Sequence, residues 1–305
     1  RRPMRAAVRL DPLLLLLLSL PPLLWAGNAV VGRALIDSCP PVLLNLLRWL
    51  LALALLLPFT HGLLGAEARR AWRLHWRWWA ATGLLGMSSY NALQYQALQS
   101  SSALNVTLIA ASLPLAMLLV GRLAFGAHPR GHQVGGALLA LAGVLVVVTR
   151  GEPAALAGLQ FVLGDLLMLL ATLCWAGYSW LLTRRPPALA DWPWQRLLAT
   201  QMLFGLAPAL PLALAETQWT AVPLRLDAGL LAALLYIAIG PSLLAYRCWQ
   251  LAVAQAGPTL AGVFANLTPL FAALLAAVWL AEAPQAFHAL AFVLIATGIL
   301  WASKS

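Results

Sequence analysis

Charged residues are scarce in this chain of 305 residues, because Asp, Glu, Lys and Arg together make up only 9% of it. An ordinary soluble domain carries about 25% charged residues, so the composition excludes a soluble enzyme. Cysteine is also rare. The three cysteines, Cys39, Cys174 and Cys248, show no CxxC spacing, and they indicate neither a disulfide framework nor a zinc site.

Apolar runs take the place of the missing charges, since hydrophobic residues account for 62% of the chain. A helix that crosses a bilayer needs about 20 mostly apolar residues. Ten segments approach this length, and we predict an all-α integral membrane protein surrounded by the lipid bilayer. The predicted transmembrane helices are 13–35, 41–59, 77–99, 102–124, 131–149, 160–183, 195–215, 228–251, 257–280 and 286–303.

The loops between these segments are short, and none reaches the ~50 residues of the smallest independent domains. The sequence contains no GxxxxGK[ST] loop, so direct coupling to ATP hydrolysis is not expected. It also contains no HExxH or GxSxG motif. We therefore expect no enzymatic activity, no cofactor and no metal site.

The basic residues indicate how the chain is oriented, because Lys and Arg in short loops stay on the cytoplasmic side of a membrane. With the N-terminus inside, 14 of the 19 basic residues are cytoplasmic, and only Arg33, Arg150 and Arg225 lie outside. Both termini are therefore expected in the cytoplasm. Since the arginines flank apolar segments, we interpret them as topology signals, and nucleic acid is not an expected partner.

The second half of the chain repeats features of the first half. The tripeptide Trp-Ala-Gly at 25–27 recurs at 175–177, and Pro114 recurs as Pro269, 155 positions later. An ordered series of matches at a nearly constant offset indicates duplication. Each repeat then has five crossings, an odd number, so the second repeat enters the membrane from the opposite side. Inverted repeats of this kind are an architecture of secondary transporters. The predicted repeats are 1–155 and 156–305.

These features resemble the drug/metabolite transporter superfamily, and within it the EamA-like branch. The resemblance is carried by Trp-Ala-Gly at 25–27 and 175–177, by Arg48 early in the second span, and by Pro269 followed thirteen residues later by Glu282. That branch includes bacterial inner-membrane exporters of amino acids, the YddG-type exporters among them. The resemblance implies a bacterial inner-membrane location and a central cavity built from spans one, three, four, six, eight and nine.

Polar residues inside a membrane span are costly unless they face a partner or a wet cavity, so they are candidates for substrate contact. In span three, Ser88, Asn91 and Tyr95 follow helical spacing, with Gln94 beside them. Aromatic rings with a polar edge suit a zwitterion that has an apolar side chain. The predicted substrate-binding residues are Trp25, Asn28, Ser88, Asn91, Gln94, Tyr95, Asn105, Trp175, Tyr178, Tyr246, Trp249, Gln250 and Asn266.

Two arginines and two acids within or beside the spans need their own interpretation. Arg247 lies near the cytoplasmic end of span eight and is expected to reach the headgroups, whereas Arg48 is deeper and is expected to bond a polar partner between helices. Proton coupling usually needs a titratable group near the midplane. Asp165 and Glu282 are not well placed for this role, which favours facilitated transport over proton antiport.

The sequence thus predicts a secondary transporter that exports small organic solutes, most of all amino acids, including aromatic or other apolar ones. A permease for sugars, nucleosides or drug-like molecules stays open, and an intramembrane enzyme or a channel is the alternative from another class. Small residues at Gly131, Gly135, Gly136 and Ala140 permit close helix approach. We expect this stripe to pack against another helix of the same protomer. A homodimer that packs through the stripe is possible but less favoured.

Overall fold

The computed structural model describes residues 10–35, 37–158, 160–218, 220–279 and 285–304. This part of the chain is helical and contains no β-strand, which confirms the predicted all-α class. The α-helices are α1 (Pro12–Ala34), α2 (Pro41–Leu56), α3 (Ala66–Leu74), α4 (Trp76–Thr82), α5 (Tyr90–Ala97), α6 (Ala103–Ala111), α7 (Leu113–Phe125), α8 (Gly131–Val148), α9 (Leu163–Leu182), α10 (Trp194–Glu216), α11 (Ala228–Ile237), α12 (Ala245–Ala256), α13 (Pro258–Ala265), α14 (Thr268–Trp279) and α15 (Ala286–Ala302).

Local sequence signals set several helix ends. Ser102 accepts a hydrogen bond from the backbone N–H of Asn105 at the start of α6, at 3.1 Å, and Asp227 caps α11 through Leu230 at 2.7 Å. Such caps satisfy backbone donors that a helix start leaves free. α7 ends at Gly126, whose φ of 66° lies in the left-handed region that glycine adopts without strain.

Among the described residues, seven helices are long and apolar enough to cross a membrane. An eighth span results if α6 and α7, which meet at an angle of 46°, are counted as one broken helix. Each of the ten predicted segments contains a helix, but 98–99 and 160–162 lie outside helices, α15 is short, and the 76–97 region is not among the seven. A multi-pass helical protein is therefore established, and ten crossings stay a prediction.

One helix lies in what the sequence analysis treats as a loop. α3 falls between the second and third predicted spans, and its Arg69, Arg70 and Arg73 are exposed. Because α3 is rich in charged residues, it does not form an apolar run and is not predicted as a span. Glu67 of α3 forms a salt bridge of 2.9 Å with Arg196 at the start of α10, so this short helix is held against the end of a long one.

Two π-helical segments interrupt the long helices, one at Gly83–Ser89 between α4 and α5 and one at Ala238–Leu244 between α11 and α12. They start and end exactly 155 positions apart, the offset of the predicted repeat. A π-helix leaves carbonyls without their usual partners. Here other helices supply donors: Tyr246 Oη donates to Gly86 O at 2.6 Å, and Trp25 Nε1 to Pro241 O at 3.3 Å.

The small-residue stripe of α8 packs against α15 within the chain, as the sequence predicts. A Cβ atom added to Gly136 would lie 2.5 Å from the carbonyl oxygen of Gly298, and one added to Gly135 would lie 2.7 Å from the ring of Trp301. The two backbones therefore approach as closely as only glycine permits. Gly135 and Gly136 are therefore occupied inside the protomer, whereas Gly131 has open space beside it.

Candidate functional site

A cavity of about 290 Å³ lies between α1, α5, α6 and α9 and the break that separates α13 from α14. Small-molecule sites occupy about 300–1,000 Å³, so the cavity suits a small organic molecule. Seven predicted residues line it. They are Trp25, Asn28, Asn91, Gln94, Tyr95, Trp175 and Asn266.

One wall of the cavity is polar and is built mainly by α1 and α5. Asn91 and Tyr95 are one helical turn apart on α5, and Gln94 lies beside them. The Tyr95 hydroxyl donates to Asn28 Oδ1 of α1 at 3.0 Å, and Asn91 Nδ2 lies 3.5 Å from the Tyr246 hydroxyl. The wall offers amide and hydroxyl groups and no charged side chain.

Asn266 faces this wall from the break between α13 and α14. Its side chain is 2% exposed, and Nδ2 has no hydrogen-bond partner. A buried amide donor without an acceptor is costly. Because Asn266 lines the cavity, a bound molecule with an acceptor group would satisfy this donor.

Aromatic rings form the floor of the cavity. Trp25 and Trp175 contact each other edge to face, with ring centroids 5.2 Å apart, and Tyr90 lies 5.1 Å from Trp175. Behind them, Trp249 lies 5.2 Å from Trp25 and 5.5 Å from Trp175. Edge-to-face and tilted pairs at these distances are favourable, so the floor is a continuous packed layer.

Four predicted residues, Tyr178, Tyr246, Trp249 and Gln250, are buried below this floor and do not line the cavity. Most of their polar groups bond within the protein, although Gln250 Oε1 has no hydrogen-bond partner. Gln250 Nε2 donates to Gln201 Oε1 at 2.9 Å and to the Tyr178 hydroxyl at 3.2 Å. Trp249 Nε1 donates to Ser179 Oγ at 3.0 Å. These four residues therefore do not contact a molecule bound in this cavity.

Ser88 and Asn105, also predicted to contact substrate, are absent from the cavity lining. The Ser88 hydroxyl donates to the carbonyl oxygen of Gly205 in α10. Asn105 Nδ2 donates to Gln160 O at 3.1 Å and to Asp165 Oδ2 at 3.0 Å. Both side chains thus tie neighbouring segments together.

Sequence reasoning missed several lining residues. Tyr90 lies within the predicted stripe, between Ser88 and Asn91, and Thr107 and Thr268 lie on neighbouring helices. Their neighbours in the lining, such as Val106 and Ala110, are ordinary apolar residues of a membrane helix. Only Tyr90 carries a usable signal, because it lies four positions before Gln94 and therefore one helical turn from a predicted residue.

Arg48 forms a network immediately behind the polar wall. The side chain is fully buried, as predicted between helices, and Nε and Nη2 donate to Ser242 Oγ at 3.0 and 2.8 Å. Nη1 donates to the Tyr95 hydroxyl at 3.2 Å. Arg48 thereby joins α2 to α5 and to the π-helical segment before α12. Arg247, by contrast, lies near Trp194 at the start of α10, 5.3 Å from its ring.

Asp165 is a structural clamp at the start of α9. Its carboxylate accepts hydrogen bonds from the Ser101 hydroxyl, from Asn105 Nδ2 at 3.0 Å and from the backbone N–H of Val162 at 2.9 Å. Glu282, the other acid that the sequence singles out, lies outside the described residues. In the part of the chain that the structure describes, no group of three His, Cys, Asp or Glu side chains could hold a metal ion.

Replacing Asp165 with alanine is expected to lower the melting temperature of the purified protein by about 5–10 °C. Buried donors left without an acceptor cost about 1–3 kcal/mol, and about 1 kcal/mol corresponds to roughly 2–4 °C in a chain of this size. Differential scanning fluorimetry in detergent measures the shift. Asp165→Asn keeps an acceptor oxygen and should lose less; equal losses would mean that the hydrogen bonds are not what Asp165 contributes.

The fold and the cavity together define a class: a multi-pass, all-helical membrane protein with a small-molecule site among its helices. The model of the EamA-like transporter family matches residues 12–149 and 162–304, and the chain belongs to that family. A homologue in Archaeoglobus fulgidus, named as an uncharacterized transporter, is 29% identical over 93% of this chain and 95% of its own length.

Two further comparisons agree. The uncharacterized transporter YyaM of Bacillus subtilis is 27% identical over 72% of this chain and 71% of its own length. A solved crystal structure has the same fold, with a TM-score of 0.73, 24% identity, and coverage of 94% of this chain and 95% of that one. The chain is thus a transporter of the EamA family, part of the drug/metabolite transporter superfamily.

Proposed function

We propose that this transporter exports small organic solutes, most of all amino acids with aromatic or other apolar side chains, by alternating access. The observation that carries the proposal is the cavity, where a neutral polar wall faces an aromatic floor. The wall can bind the polar end of an amino acid, and the floor of Trp25 and Trp175 can contact its apolar side chain. Export, rather than import, follows the resemblance to amino-acid exporters.

We further propose ten crossings in two inverted repeats, 1–155 and 156–305. The two stretches that match the family model, 12–149 and 162–304, support this division. The two π-helical segments lie at the same offset of 155, and so do the starts of α7 and α14, the helices that follow the two breaks. Irregularities of the backbone at matched positions are difficult to explain without duplication.

Contacts between matched residues support a twofold axis that relates the repeats. In a symmetric pair, residue i contacts j and the partner of i contacts the partner of j. Asn91 meets Tyr246, its match at 155, and Trp25 meets Trp175, its match at 150. Between α8 and α15, Gly136 packs on Gly298, and their matches Ala291 and Gly143 also contact each other.

We propose that the protein lies in a bacterial inner membrane with both termini in the cytoplasm, as the distribution of arginines indicates. The cavity involves the C-terminal part of α1, α5 and the α6 segment, which this orientation places in the outer half of the membrane. The aromatic floor then closes the inner side. This conformation is the outward-facing state of an alternating-access cycle.

Transport is proposed to be facilitative. The residues that line the cavity include no Asp, Glu, Lys, Arg or His. A proton-coupled carrier needs a titratable group close to the substrate path, and Asp165 is fully used in clamping α9. Uptake by counterflow should therefore not depend on an imposed pH gradient.

Radiolabelled amino acids should enter liposomes that contain the purified protein, and Gln94→Ala should reduce this uptake. A lost hydrogen bond is worth about 0.5–1.5 kcal/mol, so a decrease of about three- to tenfold is expected. Gln96→Ala is the matched control, because Gln96 lies on the same helix α5 but does not line the cavity.

Each result has a definite meaning. Equal uptake by the two variants would refute the assignment of the polar wall. Uptake that requires a pH gradient would overturn facilitative transport. If no amino acid enters, the amino-acid proposal fails, and the same assay with sugars, nucleosides and drug-like molecules tests the permease that the sequence leaves open.

A further inference from the structure

Among the described residues, no carboxylate forms a salt bridge with Arg48. A guanidinium keeps its positive charge in proteins, and Arg48 is 0% exposed. Its hydrogen-bond partners, Ser242 and Tyr95, are neutral hydroxyls. A buried charge that no opposite charge balances is unfavourable, and within a membrane span it marks a functional position.

The buried acids of the described chain are engaged elsewhere. Asp165 accepts hydrogen bonds at the start of α9, and the Glu216 carboxylate accepts them from the backbone N–H groups of Val42 and Leu43, at 3.1 and 2.9 Å. The salt bridge found among the described residues joins Arg196 to the exposed Glu67. No carboxylate of this part of the chain neutralises Arg48.

A short chain of hydrogen bonds connects this charge to the cavity. Arg48 donates to the Tyr95 hydroxyl, and that hydroxyl donates to Asn28 Oδ1. Tyr95 and Asn28 both line the cavity. Hydrogen bonds in series polarise one another, so the positive charge makes the Tyr95 hydroxyl a stronger donor. Since Oδ1 of Asn28 is occupied, its Nδ2 is the group left to donate.

The second half of the chain has an equivalent network without the charge. Gln250 is the match of Tyr95 at an offset of 155, and Tyr178 is the match of Asn28 at 150. Gln250 bonds both Tyr178 and Gln201, and Gln201 on α10 occupies the place that Arg48 has on α2. The charge is therefore specific to the side of the protein where the cavity lies.

We propose that Arg48 makes the cavity select a cargo that carries a carboxylate, with Nδ2 of Asn28 and the unpartnered Nδ2 of Asn266 as the donors that face it and Tyr95 as the link to Arg48. This inference rests on the proposed function and names the part of the cargo that is recognised. The carboxylate supplies the missing counter-charge at the polar wall, and the apolar remainder lies on Trp25 and Trp175. The positive charge of Arg48 repels an amine that has no carboxylate.

The test compares four compounds that share one aromatic ring, as competitors of labelled L-phenylalanine uptake in liposomes. L-phenylalanine and 3-phenylpropionate carry the carboxylate, whereas phenylalaninamide and phenethylamine lack it. The inhibition constants of the two carboxylates should be at least about tenfold lower, which corresponds to about 1.4 kcal/mol. Arg48→Met should remove this difference.

Arg247→Met is the matched control, since it removes an arginine that lies on another helix, contacts Trp194 and does not line the cavity, and it should leave the difference unchanged. If Arg48→Met does not fold, Tyr95→Phe tests the same link. It keeps the charge and the ring, and it should weaken the carboxylates about three- to tenfold while leaving the amide unaffected. Equal inhibition by all four compounds in the wild type would overturn the proposal.

Failure of amino-acid transport is distinguishable from failure of this inference. If labelled phenylalanine is not transported, the four compounds are compared by the melting temperature of the purified protein. Stabilisation by 3-phenylpropionate and not by phenethylamine would uphold a site for carboxylates while the amino-acid proposal falls. Equal shifts, or none, would reject the role of Arg48.

Discussion

Trp175→Ala should lower uptake at least about hundredfold per folded molecule. The ring is 2% exposed and contacts Trp25 and Tyr90 in the floor and Tyr246 below it, at centroid distances of 5.2, 5.1 and 5.1 Å. Removing it opens the floor, so the apolar part of a bound molecule loses its packing surface and water gains a path. A hundredfold loss corresponds to about 2.7 kcal/mol.

The same substitution should also destabilise the protein, because replacing a buried Trp by Ala costs about 3–5 kcal/mol. Uptake must therefore be normalised to folded protein, measured by size-exclusion chromatography. Trp175→Phe retains an aromatic ring and should recover uptake to within about tenfold of the wild type. Trp76→Ala is the surface control, since Trp76 is 56% exposed and lies outside the cavity.

A floor that matters only for stability would give a different pattern. Trp175→Ala would then have fewer folded molecules, but each would transport as fast as the wild type. That result would remove the aromatic floor from the proposed site and leave the polar wall as its only support.

The polar residues that the sequence predicts on α5 line the cavity where the helix is regular. Asn91 and Tyr95 share a face because α5 keeps the α-helical period from Tyr90 to Ala97. Ser88 was assigned to the same face, but it lies in the π-helical segment Gly83–Ser89. A π-helix closes its hydrogen bonds from i to i+5, so the period of 3.6 does not carry through, and Ser88 bonds Gly205 instead.

The residues below the floor could not be separated from the lining by sequence. Tyr178 and Gln250 match the lining residues Asn28 and Tyr95 through the repeat. In the proposed inverted repeat, matched positions would line the cavity in opposite states of the transport cycle. One sequence would then encode both states, so it could not indicate which set of residues is open to the cavity.

Arg48 shows a third limit of prediction from the sequence. Its depth in the second span predicts a polar partner between helices, and the structure has Ser242 and Tyr95 in that role. Ser242 is 194 positions away in the chain, and only the fold brings the two together. The sequence therefore indicates that a partner exists, but not that the partner connects the charge to the cavity.

Gly136→Leu should prevent stable folding, or lower the melting temperature by more than about 10 °C. A Cβ atom at this position would lie 2.5 Å from the Gly298 carbonyl oxygen and 2.7 Å from the backbone nitrogen of Ala302. Both obstacles are backbone atoms, so only a shift of the whole helix α15 relieves the clash. Overpacking costs about 1–3 kcal/mol and occasionally more, and leucine adds three further carbons to the clash.

Gly131→Leu is the control on the same helix. Nothing lies within 4 Å of a Cβ atom at Gly131, and leucine is a better helix former than glycine. The melting temperature of this variant should stay within about 2 °C of the wild type, because surface substitutions usually change stability by less than about 0.5 kcal/mol. Fluorescence-detected size-exclusion chromatography after a heating series measures both variants.

The proposed twofold relation extends this prediction to a second pair of glycines. Gly143 and Gly298 are matched at the offset of 155, and Cβ atoms added to them would lie 2.9 Å from Ala291 O and 2.7 Å from Gly136 O. If α8 and α15 cross on the axis, Gly143→Leu and Gly298→Leu should destabilise the protein to similar extents. Tolerance of leucine at one position and not at the other would mean that the two contacts are not equivalent, and it would contradict the inverted repeat.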